Sequence, residues 1–301
     1  MANKILITGG TGLVGARLKE LWLAQNKDVA LLSRSQTDLS KGRYNWDIKA
    51  QTIDQRALEE LQGVVHLAGA GVADGRWTDA RKKAILDSRI QSTNLLYDQL
   101  KGLKQRPKVF VSASAIGIYG YDTGDTLMTE ESPAGDDFLA DVVKQWEAAV
   151  DRIKELGIRV VKLRIGIVLA EDGGALPKMV QPIRLWAGAP LGSGQQYMSW
   201  IHIDDLCQMM LWSLAQDKVE GTYNAVGPNP ATNAELTKSA AQVLSKPLFL
   251  PNVPGFVIKL MFGEMGNIVL GGNNVSNQKM ATSGFKYQFE ELESALKDLL
   301  N

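Results

Sequence analysis

Thr8-Gly9-Gly10-Thr11-Gly12-Leu13-Val14-Gly15 decides the reading of this chain. A short apolar run, Lys4–Thr8, precedes it, and an amphipathic segment, Leu13–Gln25, follows it. Gly9, Gly12 and Gly15 have the spacing G-x-x-G-x-x-G. The first permits a tight turn, the second lets a diphosphate approach the backbone, and the third lets helix and strand pack closely. The helix start adds unpaired N–H groups and the positive end of a dipole. Gly10, Thr11, Leu13 and Val14 complete the loop. Many loops are rich in glycine, so the placement between the first strand and the first helix is what predicts a dinucleotide-binding turn.

Working outward, short apolar runs alternate with helix-length segments. Strands are predicted at Lys4–Thr8, Asp28–Ser33, Val64–Ala68, Lys108–Ala113 and Arg159–Leu169, and helices at Leu13–Gln25, Asp54–Leu61, Thr78–Lys101 and Asp137–Leu156. Strands separated by helices require right-handed crossovers and a parallel sheet covered on both faces. The expected class is therefore α/β, with a Rossmann doubly wound parallel sheet over residues 1–170, completed by parts of 200–226. Residues 171–301 mainly form a smaller C-terminal α+β substrate lobe, with a distinct C-terminal domain at about 247–301. Asp204–Ala215 is predicted as a helix capped by a carboxylate of Ile203-Asp204-Asp205, and Thr222–Val226 as a further strand. Thr232 and Glu235 form a capping box for a helix to about Leu244.

The second strand ends in Ser33 and Arg34, where a site for NAD usually has a carboxylate on the ribose 2′-hydroxyl. A guanidinium and a hydroxyl suit the 2′-phosphate instead, so the expected cofactor is NADP(H). Asp47 is placed either to accept from the adenine amino group or to hold a turn. His66-Leu67-Ala68-Gly69 should run its backbone beneath the cofactor.

The chain has 301 residues, 45% hydrophobic and 22% charged, with 33 basic and 33 acidic side chains. Balanced charge offers nothing to attract nucleic acid or an anionic membrane. The single cysteine, Cys207, sits among apolar residues and reads as buried; it cannot form an internal disulfide, which fits a reducing compartment. The start, MANKILITGG, lacks signal-peptide features, no apolar run is long enough for a membrane span, and the expected location is cytoplasmic. No His, Cys, Asp or Glu spacing points to a metal.

Several longer segments carry a resemblance: His66–Gly69, Arg76-Trp77-Thr78, Ser88-Arg89, Ser112–Gly120, Asp137-Phe138-Leu139-Ala140, Trp146-Glu147, Arg164–Leu169, Pro190–Gly194 and Ser199–His202. With the glycine loop, the chain resembles the extended short-chain dehydrogenase/reductase superfamily, and more closely its atypical YfcH-like NAD(P)-binding "epimerase family" proteins. The resemblance covers almost the whole chain and extends to the family's small C-terminal domain, with Gly284-Phe285 near its close. It implies NADP binding and an extended-reductase fold, and it names no substrate.

Superfamily enzymes use a Ser or Thr with a Tyr-x-x-x-Lys pair, in which the lysine lowers the tyrosine pKa for proton exchange. Alignment on Glu147 puts Leu139 at the tyrosine and Val143 at the lysine, with Lys144 turned toward solvent. Arg89 stands where an Asn is usual, before Ser92-Thr93. It reads either as a surface cation or as a cofactor contact that reaches the NADP(H) or Glu147. Ser112 and Ser114 are the candidates for the active-site serine, either of which could instead simply close the strand. Tyr119 and Tyr121 are the nearest alternative phenols. The implied function is an NADP(H)-dependent epimerase, dehydratase or reductase acting on a nucleotide-sugar or other small polar substrate. The alternative is a non-catalytic NADP(H) sensor that acts through partners, in the manner of relatives labelled for cell division. Gly192–Gln196 and Trp77 are expected on opposite walls of the substrate cleft.

Overall fold

The computed structural model describes residues 4–301; Met1–Asn3, the first residues of the start read as lacking a signal peptide, lie outside the described residues. Eight strands build the central sheet: β1 (Lys4–Thr8), β2 (Val29–Ser33), β3 (Arg43–Asp47), β4 (Thr52–Ile53), β5 (Leu61–His66), β6 (Val109–Ala115), β7 (Arg159–Ile165) and β8 (Gly221–Ala225). Their spatial order is β8-β7-β6-β5-β1-β2-β3-β4. All neighbours pair in parallel except β3 and β4. The order reverses between β1 and β5, which opens a crevice at the strand ends there.

Alternation along each strand explains the two-sided core. Ile5 and Ile7 point to one face, with Leu18, Trp22, Leu206 and Met210 packed on it. Leu6 points to the other, with Leu95, Leu96, Trp146 and Val150 packed on that side. Residues two apart on a strand share a face, so one strand feeds both layers. The first layer comes from α1 (Leu13–Leu23) and the helix Ile203–Ala215; the second comes from α2 (Asp79–Lys101) and α3 (Phe138–Asp151). Cys207 is fully buried in the first, and burial pushes its thiol pKa up to about 12.

Four expected elements come out differently. Asp54–Leu61 forms only a 3-10 turn, Gln55–Leu58, because β5 begins at Leu61. The helix after β6 ends at Asp151 and finishes as a tighter turn, Arg152–Leu156. The long run Arg159–Leu169 breaks at Gly166, where an added Cβ would collide with the Ser199 carbonyl and come within 2.8 Å of Val226. Beyond that break, Ile167–Leu169 leaves the main sheet and pairs with Trp200–His202. The helix Ile203–Ala215 is capped by the ring of His202, which accepts from the Asp204 N–H, and not by a carboxylate. Asp205 instead accepts from the Gln288 and Phe289 N–H groups.

Two further expectations hold closely. Gly221–Ala225 completes the sheet beside β7. Thr232 and Glu235 form the capping box of the helix Asn233–Val243. The later residues contribute short pairings, Tyr197–Met198 with Ala231–Thr232 and Asn274–Val275 with Leu127–Met128. Among the described residues, no helix is long and apolar enough to cross a membrane.

Candidate functional site

The glycine loop has the geometry its sequence requires. Gly9 has φ +67°, and a Cβ there would lie 2.9 Å from the Leu67 carbonyl carbon. A Cβ on Gly15 would strike the Gly9 carbonyl and stand 2.7 Å from the Gly10 Cα. The first approach sets the loop on the end of β5, and the second sets the start of α1 on the loop. Gly12 starts α1 with no side-chain cap, and no acidic residue occupies the first turn. By contrast, Thr78 caps α2 and Asp137 caps α3. The start of α1 is thus an open set of N–H donors at the positive end of a helix.

Beneath the loop, a buried polar chain fixes β1, β5 and α2 together. Thr8 Oγ1 accepts from the Leu67 and Ala68 N–H groups at 3.0 and 3.1 Å. With both its acceptor sites filled, the hydroxyl donates to His66 Nδ1 at 2.7 Å. His66 therefore carries its proton on Nε2 and donates to Thr93 Oγ1 at 3.1 Å. Thr93 and Ser92 in turn donate to the Arg89 carbonyl at 2.7 and 3.1 Å. Burial, reinforced by the Arg89 charge, pushes the His66 pKa down to about 3, so the ring is neutral.

Each predicted residue has a definite place. Arg34 is exposed at the end of β2, and among the described residues no carboxylate pairs with it. Ser33 Oγ accepts from the Ser35 N–H at 3.2 Å and keeps its own proton free to donate. Asp47 holds a turn, accepting from the Lys49 and Ala50 N–H groups. Leu67, Ala68 and Gly69 follow β5, with Gly69 exposed to the crevice. Arg89 lies 3.3 Å from where a Gly69 Cβ would stand and donates to the Ala70 and Ile85 carbonyls.

Of the two alternatives for Arg89, reaching the cofactor or reaching Glu147, the second does not occur. Glu147 is taken by Arg164, whose Nε and terminal nitrogen donate at 2.9 and 3.0 Å, with Lys162 3.6 Å away. Ser114 donates to the same carboxylate at 2.6 Å, and Ser112 donates to the Ala113 carbonyl. Tyr119 is buried, donates to Asn224 Oδ1 at 2.7 Å and accepts from Arg164. The sequence reading missed this network, although Lys162 and Arg164 inside an apolar strand signalled that a buried carboxylate must face them. Tyr121 is different. Its hydroxyl is buried without a partner, and burial, then Asp137 and Glu264, push its pKa up to about 12. It stands beside Trp77, which meets Phe138 edge-on at 5.0 Å.

The helix after β6 carries no acid–base pair. Val143 is buried among Ile118, Tyr119, Met128, Val226 and Val275. Leu139 lies against Gly117. Lys144 is exposed and paired with Asp141. Gly192–Gln196 is tied down locally: Gln196 is buried and donates to the Leu191 and Val269 carbonyls.

A glycine loop against β5, an uncapped first helix and the reversal of strand order are the geometry of a dinucleotide crevice. A family model described as NAD dependent epimerase/dehydratase matches residues 5–226. The chain belongs to that family. Residues 253–299 of this epimerase-family chain match a second model, a domain of unknown function named DUF1731. It is 34% identical to the epimerase family protein YfhF of Bacillus subtilis over 98% of this chain and 97% of the relative. It is 35% identical to the human epimerase family protein SDR39U1 over 99% of each. A crystal structure of human SDR39U1 (isoform 2) with NADPH superposes with a TM-score of 0.90 at 34% identity, covering 98% of both chains. A UDP-glucuronic acid 4-epimerase from Bacillus cereus, solved with UDP-glucuronic acid and NAD, shares the fold at a TM-score of 0.76 and 18% identity.

Proposed function

We propose that this chain binds NADP(H) across the ends of β1, β2 and β5 and exchanges hydride with a small polar substrate of nucleotide-sugar type. The observation that carries the reading is Arg34: a cation at the end of β2 with no ionic partner among the described residues, where a carboxylate would repel a 2′-phosphate. The residues fit the cofactor. Gly9 lets the loop lie directly on the Leu67–Ala68 backbone, the start of α1 offers N–H donors, and Ser33 has a free hydroxyl proton. The NADPH in the human relative's structure supports the choice. When bound, the nicotinamide supplies or accepts the hydride. On this reading Gly9–Gly15 would hold the diphosphate, Ser33 and Arg34 the 2′-phosphate, and Leu67–Gly69 would form the floor. Residues 171–301, less those completing the sheet, would be the substrate lobe.

A second reading has its own support. Leu139 and Val143 cannot carry a proton, and the Ser114 and Tyr119 hydroxyl protons are already donated inside the protein. Those facts favour a non-catalytic NADP(H)-binding sensor that acts through a partner. One experiment separates the two. NADPH deuterated at its reactive carbon is incubated with the protein and a panel of nucleotide-sugars and small carbonyl compounds. Label found in any panel compound supports hydride exchange. Tight NADPH binding with no label transferred supports the sensor, and absence of NADPH binding overturns both.

A further inference from the structure

The neutral charge of the whole chain conceals a segregation. Residues 173–203 and 236–263 carry five cations, Lys178, Arg184, Lys238, Lys246 and Lys259, and no carboxylate, so the rest of the chain is correspondingly acidic. Among the described residues, none of the five forms a salt bridge. The two segments lie side by side. The Gly192 N–H donates to the Val253 carbonyl, the Val253 N–H donates to the Pro190 carbonyl, and the Lys246 ammonium sits 4.5 Å over the Trp186 ring.

The same segments hold seven of the eleven large apolar side chains that are exposed among the described residues. The helix Leu176–Arg184 ends in Leu185 and Trp186, both exposed, and Lys178 lies two turns before Leu185 on the same side. Phe249 and Leu250, also exposed, follow Leu248, which packs on Gly188. The helix Gly255–Phe262 is apolar at every position except Gly255 and Lys259, a composition that belongs in a core, yet Ile258 is its only buried residue. Phe256 and Leu260, one turn apart, share a face and are 72% and 76% exposed, with Lys259 beside them. Arg76 donates to the Leu260 and Met261 carbonyls and Lys82 pairs with Glu264, contacts that hold this helix to the start of α2 with its apolar side outward.

The charge pattern selects the occupant. A second copy of the chain does not suit this face, because a two-fold contact would set its cations against themselves. Protein interfaces favour arginine and deplete lysine, whereas four of these five cations are lysines. Exposed Leu, Phe and Trp ringed by lysine is the pattern of elements that lie in a bilayer interface. We propose that this surface docks on an anionic lipid bilayer, with its lysines against the headgroups and Trp186, Phe256 and Leu260 in the acyl boundary. The full chain is sedimented with phosphatidylcholine vesicles, with and without phosphatidylserine at about one lipid in three. Binding to the anionic vesicles should be at least about tenfold tighter than to the neutral ones, and high salt should weaken it. Phe256→Ser with Leu260→Ser should weaken vesicle binding at least about tenfold and leave NADPH affinity unchanged, because both side chains stand on the outer surface. Lys246→Glu with Lys259→Glu should do the same. No binding to anionic vesicles overturns the proposal, and so does binding that neither double variant weakens. A concentration-dependent dimer in sedimentation velocity that Phe256→Ser with Leu260→Ser abolishes also overturns it, assigning the face to a second copy. Retention on immobilised polyglutamate without vesicle binding overturns it in favour of an acidic protein.

Discussion

The Ser114 hydroxyl donates to the buried Glu147 carboxylate at 2.6 Å, joining the end of β6 to α3 through a group that Arg164 already holds with two bonds. Burial pushes the Glu147 pKa up, but the Arg164 bonds, the Ser114 bond and the Lys162 charge outweigh it, leaving it below the usual carboxylate range. Its contribution to stability is therefore full above that range and lost as pH falls through the lowered folded value. Glu147→Gln should destabilise by about 3–5 kcal/mol, because Arg164 is left buried without its counter-charge. Ser114→Ala should cost only about 2 kcal/mol. Urea unfolding at neutral pH measures both, and near-equal small losses would contradict the network.

Cofactor selection should follow Arg34. The unmutated protein is expected to bind NADPH at least about tenfold more tightly than NADH, a difference of roughly 1.4 kcal/mol. Arg34→Asp should erase or reverse the preference, because a carboxylate repels the 2′-phosphate and accepts from a 2′-hydroxyl. Equal affinities in the unmutated protein would remove the basis for the assignment.

Restoring the missing lysine should damage the protein before it helps the chemistry. Val143 is 3% exposed and buried with Ile118, Tyr119, Met128, Val226 and Val275, so Val143→Lys places an ammonium among apolar side chains, one turn from a Glu147 that Arg164 already holds. A loss of about 3 kcal/mol or more is expected by chemical denaturation. Unchanged stability would mean that the position opens to the crevice after all.

His66 should stay neutral in the folded protein at about pH 5, since burial holds its pKa near 3, below the ordinary 6.5. Protonation therefore favours the unfolded chain, and the His66 contribution to stability is lost as pH falls from about 6.5 toward 3. Nitrogen NMR should show the proton on Nε2 throughout that window. A ring that titrates near 6.5 while the protein remains folded would contradict the Thr8–His66–Thr93 chain.

Much of this molecule was legible as a string. The spacing of Gly9, Gly12 and Gly15 fixed a turn whose backbone admits no side chain, and strand alternation set the two-layered core, because both depend on local geometry alone. Arg34 could be placed for the same reason: it directly follows a strand whose end was readable. The resemblance to the superfamily, aligned on Glu147, put Leu139 and Val143 at the positions of its Tyr–Lys pair, and neither side chain can carry a proton. What the string could not decide were the partners. The sequence suggested only Arg89 for Glu147; the packing of β7 against α3 gave it Arg164 instead and left Arg89 beside Gly69. The break at Gly166 and the capping of Ile203–Ala215 by His202 also arise from chains that approach from far along the sequence. Local periodicity determines which face a residue takes; which charge meets which depends on long-range packing, and a single sequence carries no register for it.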